Sequence, residues 1–532
     1  MTDHQRYSLF ALAFLAFLAA TAVVGPFLGA SISTEEAESS RRRLNWRIRA
    51  RAKKKKEKAL LASLADPKTV VPRVNAAAIS DAAGGPNIIY IQHEALSGSI
   101  ALNTDAGAAA MPFFQDRMKN DPDFYVFEHA RAPSGNTLDA FPAMMTGCMP
   151  YTKDAVDWLH TRGRSVGYDF HRLGYHTASF SSRNLDETMT TGKWKVLYDM
   201  LVGDMDKVID PLSQKLPVDN KGGTDDRRML PLFEDWLREL ADKDESRPFY
   251  AQFYNFNQHY PYMKEEGAPT STKPYYQSLA TTDEFFQGLF EILEKTGRLQ
   301  NTIIVGSGDH GEEPFKNKGL WPRLRAFNSN ILHSASYTYY PKELMPDSSM
   351  ADRLRSNTQK LIHTTDLYQT IQGVIQRSFA PDGAGGGNAF LPMFFNLIPS
   401  GCITGVDLAE VDIPEDRVVI SWNFHSSKGG TKFYKGDYWA LSTKDLSLYH
   451  RKQKMKFMHQ GKNSVYVLKY GNCTRDTSPS DIWCQASVTE EYKEYFRGAI
   501  QWIKHTPMYD EGFKTSKLVK YFSKKVGWKE TA

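Results

Sequence analysis

Short apolar runs typical of buried strands alternate in this chain with segments of helical periodicity. This alternation constrains the fold more than any other feature of the sequence. The strand-like runs are PNIIYIQ (86–92), RPFYAQFYNF (247–256) and NTIIVGS (301–307). Between the last two lies PYYQSLATTDEFFQGLFEILEKTG (274–297), in which apolar residues recur at helical spacing. Strands that alternate with helices form a mostly parallel sheet with helices on both faces. The sequence therefore predicts an α/β fold.

Residues that can bind a metal follow each of these strands. His93 and Glu94 follow the first strand, residues 257–259 (Asn-Gln-His) follow the second, and Asp309 and His310 follow the third. The carboxyl ends of parallel strands meet at one edge of the sheet, so we expect these side chains to converge. Each taken alone is equally well explained as a capping or hydrogen-bonded polar group. Together they favour a divalent metal, and an Asp-His pair with a further carboxylate suits Zn²⁺ or Mn²⁺.

The segment APSGNTLDAFPAMMTGCMP (132–150) offers a candidate nucleophile. Ser134 and Thr137 precede a helix predicted to begin near Leu138. A hydroxyl at a helix N-terminus lies where backbone N–H groups and the helix dipole favour an anion. A nearby metal would lower the pKa of that hydroxyl. The alternative is that Thr137 only caps the helix.

The N-terminal part of the chain is predicted to be a membrane anchor or a secretory signal. No charge occurs from Tyr7 to Thr34, which is long enough to span a bilayer as an uncleaved anchor. The alternative is a secretory signal cleaved near Gly29-Ala30. The basic run RRRLNWRIRARAKKKKEK (41–58) then forms either a solvated juxtamembrane helix or a site for anionic lipid headgroups.

The charge balance argues against nucleic acid as a partner. Residues 1–58 carry a net charge of +7, so the rest of this +5 chain has a net charge of −2. A nucleic-acid-binding body would need its own basic patch.

Two features bear on which side of the membrane the body lies. The basic run alone would favour the cytosol, whereas a signal sequence leads to a lumen. We expect a single-pass protein with a lumenal or extracellular catalytic domain. Asn472 begins a glycosylation sequon, and Cys473 and Cys484 are close enough in sequence to pair, although free thiols are equally compatible.

Four segments are expected along the chain. They are the signal-anchor or signal peptide (1–34), the basic segment and linker (35–84), the catalytic domain (85–400) and a C-terminal subdomain (401–532). A surface loop is expected at GAGGG (383–387), and RVVISWNF (417–424) and KFYKGDYWALS (432–442) predict antiparallel strands in the last segment.

From about Gly85 to Leu448 the chain resembles the sulfatase branch of the alkaline phosphatase superfamily. The matching pieces occur in family order: NIIYIQHEALSG, TLDAFPAMMTGCMP, LGYHTASFSS, YYQSLATTDEFFQGLFEILEKTGRLQNTIIVGSGDHGE and LIHTTDLYQTI, with KFYKGDYWALS similar to the small C-terminal sheet. This resemblance implies an alkaline-phosphatase-like, mostly parallel sheet between helices, with a small C-terminal sheet subdomain.

Where the sequence departs from the sulfatase pattern, the expected nucleophile and metal change. Thr137 stands where sulfatases carry the cysteine that becomes formylglycine, and Phe141 replaces the motif's arginine, so no formylglycine can form. The usual pair of aspartates is His93-Glu94 here. The later Asp-Asn pair is Asp309-His310, and this exchange favours Mn²⁺ or Zn²⁺ over Ca²⁺ or Mg²⁺.

The remaining pattern is similar to that of the lipoteichoic acid synthases and phosphoethanolamine transferases. The resemblance implies one divalent metal, with Thr137 as both ligand and nucleophile. His259 is implied as a catalytic and substrate-contacting residue, and Trp194 as a weaker substrate-binding candidate, since the Trp-Asn-Arg motif lacks its arginine. His363 lies in a segment near the site and is a further substrate-binding candidate, with a structural role as the alternative. The implied ligand set is Glu94, Thr137, Asp309 and His310.

The function expected from this resemblance is a metal-dependent hydrolase or transferase of phosphate esters. Its substrate would be a small-molecule, lipid or glycan ester. Within the same fold, the alternatives are a sulfatase that works without formylglycine and a nucleotide pyrophosphatase. A further alternative is a catalytically silent, membrane-tethered protein.

Overall fold

The computed structural model describes most of the chain between residues 85 and 486. The described ranges are 85–147, 149–150, 165–186, 189–190, 194–203, 205–218, 222–244, 247–264, 273–312, 314, 331–379, 402–403, 405–414, 417–423, 430–435, 439–442, 447–450, 455–459, 465–470 and 483–486. All of them belong to one compact unit, Val74–Ala532.

Several predictions fall outside the described residues. They are the apolar segment 7–34, the basic run 41–58, the loop 383–387, Asn472, Cys473 and the domain boundaries near residues 34, 84 and 400. Within the described ranges, every helix is either too short or too polar to cross a membrane.

A seven-stranded mixed sheet forms the centre of the fold. Its order is β2-β9-β8-β1-β7-β5-β6, and β9 alone runs against the other strands. The predicted α/β fold with a mostly parallel sheet is thus confirmed. The strands are β1 (Asn87–His93), β2 (Phe124–Phe127), β5 (His176–Ser181), β6 (Lys207–Ile209), β7 (Phe249–Asn255), β8 (Thr302–Gly308) and β9 (Ser336–Tyr339).

The sheet order brings the three predicted strands side by side. β1 lies between β7 and β8 and runs parallel to both, with Ile91 opposite Phe253 on one side and Gly306 on the other. The three strands therefore end at the same edge, which is where the polar residues follow them.

Helices cover both faces of the sheet because the side chains of a strand point alternately to its two sides. Ile89 and Ile91 of β1 pack on one face with α1 to α3, α7 and α8, and Ile88 and Tyr90 pack on the other with α4 to α6, α9 and α10. The helices are α1 (Gly98–Ala101), α2 (Asp105–Ala110), α3 (Pro112–Asn120), α4 (Thr137–Thr146), α5 (Val166–Arg172), α6 (Lys195–Val202), α7 (Met229–Asp244), α8 (Pro274–Lys295), α9 (Ser349–Asn357) and α10 (Thr364–Phe379).

A second seven-stranded sheet is an antiparallel meander in which each strand pairs with the next. It comprises β12 (Val418–Asn423), β13 (Gly430–Lys435), β14 (Trp439–Ser442), β15 (Ser447–His450), β16 (Met455–His459), β17 (Val465–Tyr470) and β18 (Trp483–Ala486). Two short pairs complete the described strands: β3 (His129–Arg131) with β10 (Leu361–His363), and β4 (Met149–Pro150) with β11 (Cys402–Ile403).

Candidate active site

Three predicted ligands converge at the carboxyl edge of the central sheet. Glu94 follows β1, and Asp309 and His310 follow β8. One ligand atom of each lies within 4.8 Å of the others, and all three residues are buried. Main-chain hydrogen bonds hold both strand ends, since Glu94 N donates to Asn255 O at 2.9 Å and Asp309 N donates to His93 O at 3.0 Å.

Thr137 joins this cluster from helix α4. It is the first residue of α4, one position earlier than the sequence predicts, and Asn136 rather than Thr137 is the N-cap. The Asn136 side chain accepts a hydrogen bond from Asp139 N and so leaves the threonine hydroxyl free for the cluster. Thr137 Oγ1 donates to Glu94 Oε1 at 2.7 Å and lies 3.4 Å from His310 Nε2.

Further hydrogen bonds orient the ligand atoms. Tyr254 OH donates to Glu94 Oε2 at 2.6 Å. Asp309 Oδ1 accepts from Ala95 N at 2.9 Å and from His310 N at 2.8 Å. Ala95 has a left-handed φ of 62°, a conformation that non-glycine residues rarely adopt and that clusters at functional sites.

Burial and mutual charge interactions shift the pKa of each member of this cluster. Burial and repulsion from Glu94 raise the pKa of Asp309 to about 7. Burial would lower the pKa of His310, but attraction to Asp309 and Glu94 raises it to about 10. Burial likewise opposes ionisation of Glu94, but hydrogen bonding to His310 lowers its pKa below the usual range. Two carboxylates thus compete for one imidazolium.

The donor set fits a divalent metal. Asp309 Oδ2 is buried and has no hydrogen-bond partner among the described residues, although a buried carboxylate oxygen normally has one. His310 Nδ1 lies 2.8 Å from Gly311 O, so its Nε2 is the ring nitrogen that faces the carboxylates, 3.6 Å from Glu94 and 3.8 Å from Asp309. Carboxylate oxygens combined with one imidazole suit Zn²⁺ or Mn²⁺.

His93 does not join this set, because it is the last residue of β1 and points to the other side of the strand. Its Nε2 lies 2.8 Å from Tyr337 OH, and its ring packs on Phe286. Burial lowers its pKa to about 3, so His93 is a neutral core residue.

The predicted substrate residues lie in two places. The ring of His259 stacks on Phe256 with centroids 4.3 Å apart, in the turn after β7. Arg183 lies between this surface and Trp194. Its guanidinium carbon is 4.6 Å from the centre of the Trp194 ring and 5.4 Å from that of the Phe256 ring. His363 ends β10 instead, and its Nδ1 lies 2.7 Å from Thr365 Oγ1.

Three residues of this site are absent from the sequence prediction. Tyr254 belongs to an apolar run and therefore looks like one more core aromatic residue. Asn136 had a usable signal, since asparagine before a helix is a preferred N-cap. Arg183 lies 11 residues before Trp194, and nothing in that spacing indicates contact.

The comparisons with known proteins establish the family. The family model named Sulfatase matches residues 86–363, slightly more than half of the chain. The chain therefore belongs to the sulfatase family, and the resemblance seen in the sequence is confirmed.

Individual relatives are distant. Lipoteichoic acid synthase 2 of Bacillus subtilis is 25% identical over 243 residues, which are 43% of this chain and only 36% of that protein. A crystal structure of an alkaline phosphatase superfamily protein from Vibrio parahaemolyticus has a TM-score of 0.49 at 14% identity, over 84% of this chain and 89% of that one. The lipoteichoic acid synthase LtaP from Listeria monocytogenes has a TM-score of 0.48 at 14% identity, over 84% and 93%. At these values the structural likenesses carry no argument about function.

Proposed function

We propose that this chain is a metal-dependent enzyme that hydrolyses or transfers phosphate esters, with Thr137 as its nucleophile. One observation carries the proposal: the Thr137 hydroxyl lies at the N-terminus of α4, 2.7 Å from Glu94 and 3.4 Å from His310. A residue that served only as a helix cap would bond to its own helix, and Asn136 already does so.

Glu94, Thr137, Asp309 and His310 would hold one divalent metal, with Zn²⁺ or Mn²⁺ favoured over Ca²⁺ and Mg²⁺. Such an ion would lower the pKa of the threonine hydroxyl and neutralise charge on the transferred group. Two observations support this assignment. Asp309 Oδ2 has no hydrogen-bond partner among the described residues, and His310 Nε2 faces Glu94 and Asp309 at 3.6 and 3.8 Å.

The chain's own residues supply the other parts of a two-step displacement. The Thr137 oxygen bonds to phosphorus as the P–O bond to the alcohol leaving group breaks. The hydroxyl proton passes to Glu94 along their hydrogen bond. The departing oxygen takes a proton from a water molecule beside the neutral His259 ring, which leaves a hydroxide ion there. In the second step this hydroxide, or an acceptor alcohol that gives its proton to it, bonds to phosphorus as the P–O bond to Thr137 breaks. The released Thr137 oxygen takes back the proton held by Glu94. Tyr254 holds Glu94 in place throughout.

Phosphate is favoured over sulfate because Thr137 replaces the residue from which formylglycine is made. The substrate class rests on the name of one relative, Lipoteichoic acid synthase 2 of Bacillus subtilis. We therefore propose a lipid or glycan phosphoester, with a small-molecule ester as the alternative. In the proposed arrangement, residues 7–34 anchor the protein, and the catalytic domain (85–400) and C-terminal subdomain (401–532) face the lumen or exterior.

The test uses the full-length chain in detergent, stripped of metal and reloaded with Zn²⁺ or Mn²⁺. Turnover of p-nitrophenyl phosphodiester, phosphomonoester and sulfate is compared for the wild type, Thr137→Ala and Thr137→Ser. We expect phosphoester turnover that falls at least about 1,000-fold in Thr137→Ala and partly persists in Thr137→Ser, because nucleophile removal costs that much in comparable enzymes. Mass spectrometry of the quenched reaction should detect phosphate on Thr137.

Thr146→Ala is the matched control, because Thr146 is also in α4 but its hydroxyl donates to Pro142 O at 2.7 Å. It should lower stability and leave turnover intact. Sulfate turnover that depends on Thr137 would replace the phosphate proposal by a sulfatase without formylglycine. Equal phosphoester turnover in wild type and Thr137→Ala would refute the nucleophile.

A further inference from the structure

A positively charged group lies against the aromatic surface beside the site. Trp194, Phe256 and His259 form this surface, called here the aromatic wall. The Arg183 guanidinium carbon lies 4.6 Å from the Trp194 ring centre and 5.4 Å from that of Phe256. Arg183 follows β5 at the carboxyl edge of the sheet, the edge at which β7 also ends.

The backbone on both sides of Arg183 is held firmly. Arg183 pairs with Gly223 in an antiparallel bridge, and Thr224 N donates to Ser182 O at 2.7 Å. A Cβ on Gly223 would lie 2.3 Å from the Phe256 ring, so only glycine allows this approach. The arginine and the aromatic wall are therefore positioned as one unit before any substrate arrives.

The charge of Arg183 has no carboxylate partner among the described residues. Two other half-buried arginines do have one: Arg377 pairs with Asp407 and Arg417 with Asp366, each at 2.6 Å. A guanidinium that lies with its face on aromatic rings keeps its in-plane N–H groups available. Those groups match the paired oxygens of a phosphate or sulfate.

The charge of Arg183 also acts on His259. Burial lowers the pKa of His259 below its usual value, Glu94 opposes this, and Arg183 lowers it further. At neutral pH the ring is thus held neutral beside a permanent cation. Arg183 is therefore the charged group beside the aromatic wall, whose own residues are neutral.

We propose that Arg183 binds the tetrahedral anionic group of the substrate through two in-plane N–H groups. This inference rests on the proposed function, because it assigns the group that presents the ester to Thr137. Arg183 thereby selects anionic esters over neutral ones.

The test measures anion binding directly, without turnover. Calorimetry on the metal-loaded, full-length chain gives the Kd of inorganic phosphate and of inorganic sulfate for wild type, Arg183→Met and Arg183→Lys. Methionine keeps the apolar stem and removes every donor. We expect the phosphate Kd to rise about 10- to 100-fold in Arg183→Met, as for loss of a charge-assisted hydrogen-bond pair, and less in Arg183→Lys. The larger loss, for phosphate or for sulfate, identifies the ester class.

Arg298→Met is the matched control. Arg298 is also half-buried, and its guanidinium carbon lies 6.0 Å from the ring of Phe249 at the opposite end of β7. Its replacement should leave both anion Kd values unchanged. An NMR titration adds a second readout, since Arg183→Met should raise the pKa of His259.

An unchanged phosphate Kd in folded Arg183→Met would overturn the proposal and leave Arg183 a packing residue. So would a wild type that binds neither anion at millimolar concentration. If Arg183→Met does not fold, an unchanged Kd in Arg183→Lys, which has lost the paired donors, overturns it equally. Thr137-dependent turnover with an Arg183-independent Kd refutes this inference alone. An Arg183-dependent Kd without any turnover refutes the proposed function alone.

Discussion

Removing the Tyr254 hydroxyl should weaken metal binding while preserving the fold. Tyr254 OH donates to Glu94 Oε2 at 2.6 Å, and its ring packs edge-to-face on Phe141 with centroids 5.3 Å apart. Tyr254→Phe keeps this packing and deletes one buried hydrogen bond to a charged acceptor, which is worth about 1.5–3 kcal/mol. That bond helps His310 to lower the pKa of Glu94, so its loss raises this pKa and leaves the carboxylate less well oriented.

Metal affinity should therefore fall about 10- to 100-fold, as it does when second partners of metal ligands are removed elsewhere. The assay is competition for Zn²⁺ with a chelating dye, on full-length protein in detergent. Urea unfolding of the stripped protein measures the stability change separately. The same Zn²⁺ affinity in folded Tyr254→Phe and wild type would show that Glu94 does not bind the metal as proposed.

Tyr250→Phe is the control for this variant. Tyr250 is a buried residue of the same strand, and its hydroxyl bonds to the neutral Oε1 of Gln252 at 3.2 Å. It should lose only about 0.5–1.5 kcal/mol of stability. Its Zn²⁺ affinity should remain that of wild type.

Two further predictions concern the frame of the site. Burial raises the pKa of Asp226 to about 7 in the folded protein, so its contribution to stability is present below pH about 4 and is lost as the pH rises towards 7. In Asp226→Asn the free energy of unfolding should fall less steeply between pH 4 and 8, by at most about 1.4 kcal/mol per pH unit, in urea titrations. The same pH dependence in wild type and variant would contradict a raised pKa of Asp226. Gly147→Ala should lower stability by about 1–3 kcal/mol, because Gly147 has a φ of 64° and a Cβ there would lie 2.4 Å from Tyr368. Gly297→Ala, at φ 65° with open space around it, should cost less, and equal losses would exclude the contact with Tyr368.

The strands that carry the site were predictable, because they are encoded by short segments of sequence. The strands 87–93, 249–255 and 302–308 are mostly apolar and buried along their whole length, as expected of strands covered on both faces. Because parallel strands end at one edge, the residues that follow β1 and β8 were expected to meet, and Glu94 and Asp309 do so. Their role as metal ligands remains a prediction.

Side-chain direction at the strand ends was not predictable from residue types. His93 and Glu94 are neighbours with similar metal-binding chemistry, yet His93 bonds to Tyr337 in the core and Glu94 faces Thr137. Successive side chains of a strand point to opposite faces of the sheet, so His93 and Glu94 point in opposite directions. Which of the two faces Thr137 depends on the position of β1 in the folded sheet. In the same way, Tyr254 could be separated from other core aromatics only by its position opposite Glu94.

The sequence alone determined the fold class, the edge of the sheet at which chemistry would be found and the family of the chain, because these follow from local periodicity and ordered motifs. Only the tertiary structure decided that β1 lies between β7 and β8, that Tyr254 supports Glu94 and that Arg183 covers Trp194 and Phe256. These contacts join residues distant in sequence through the packing of separate elements. No pattern along the chain encodes such distances.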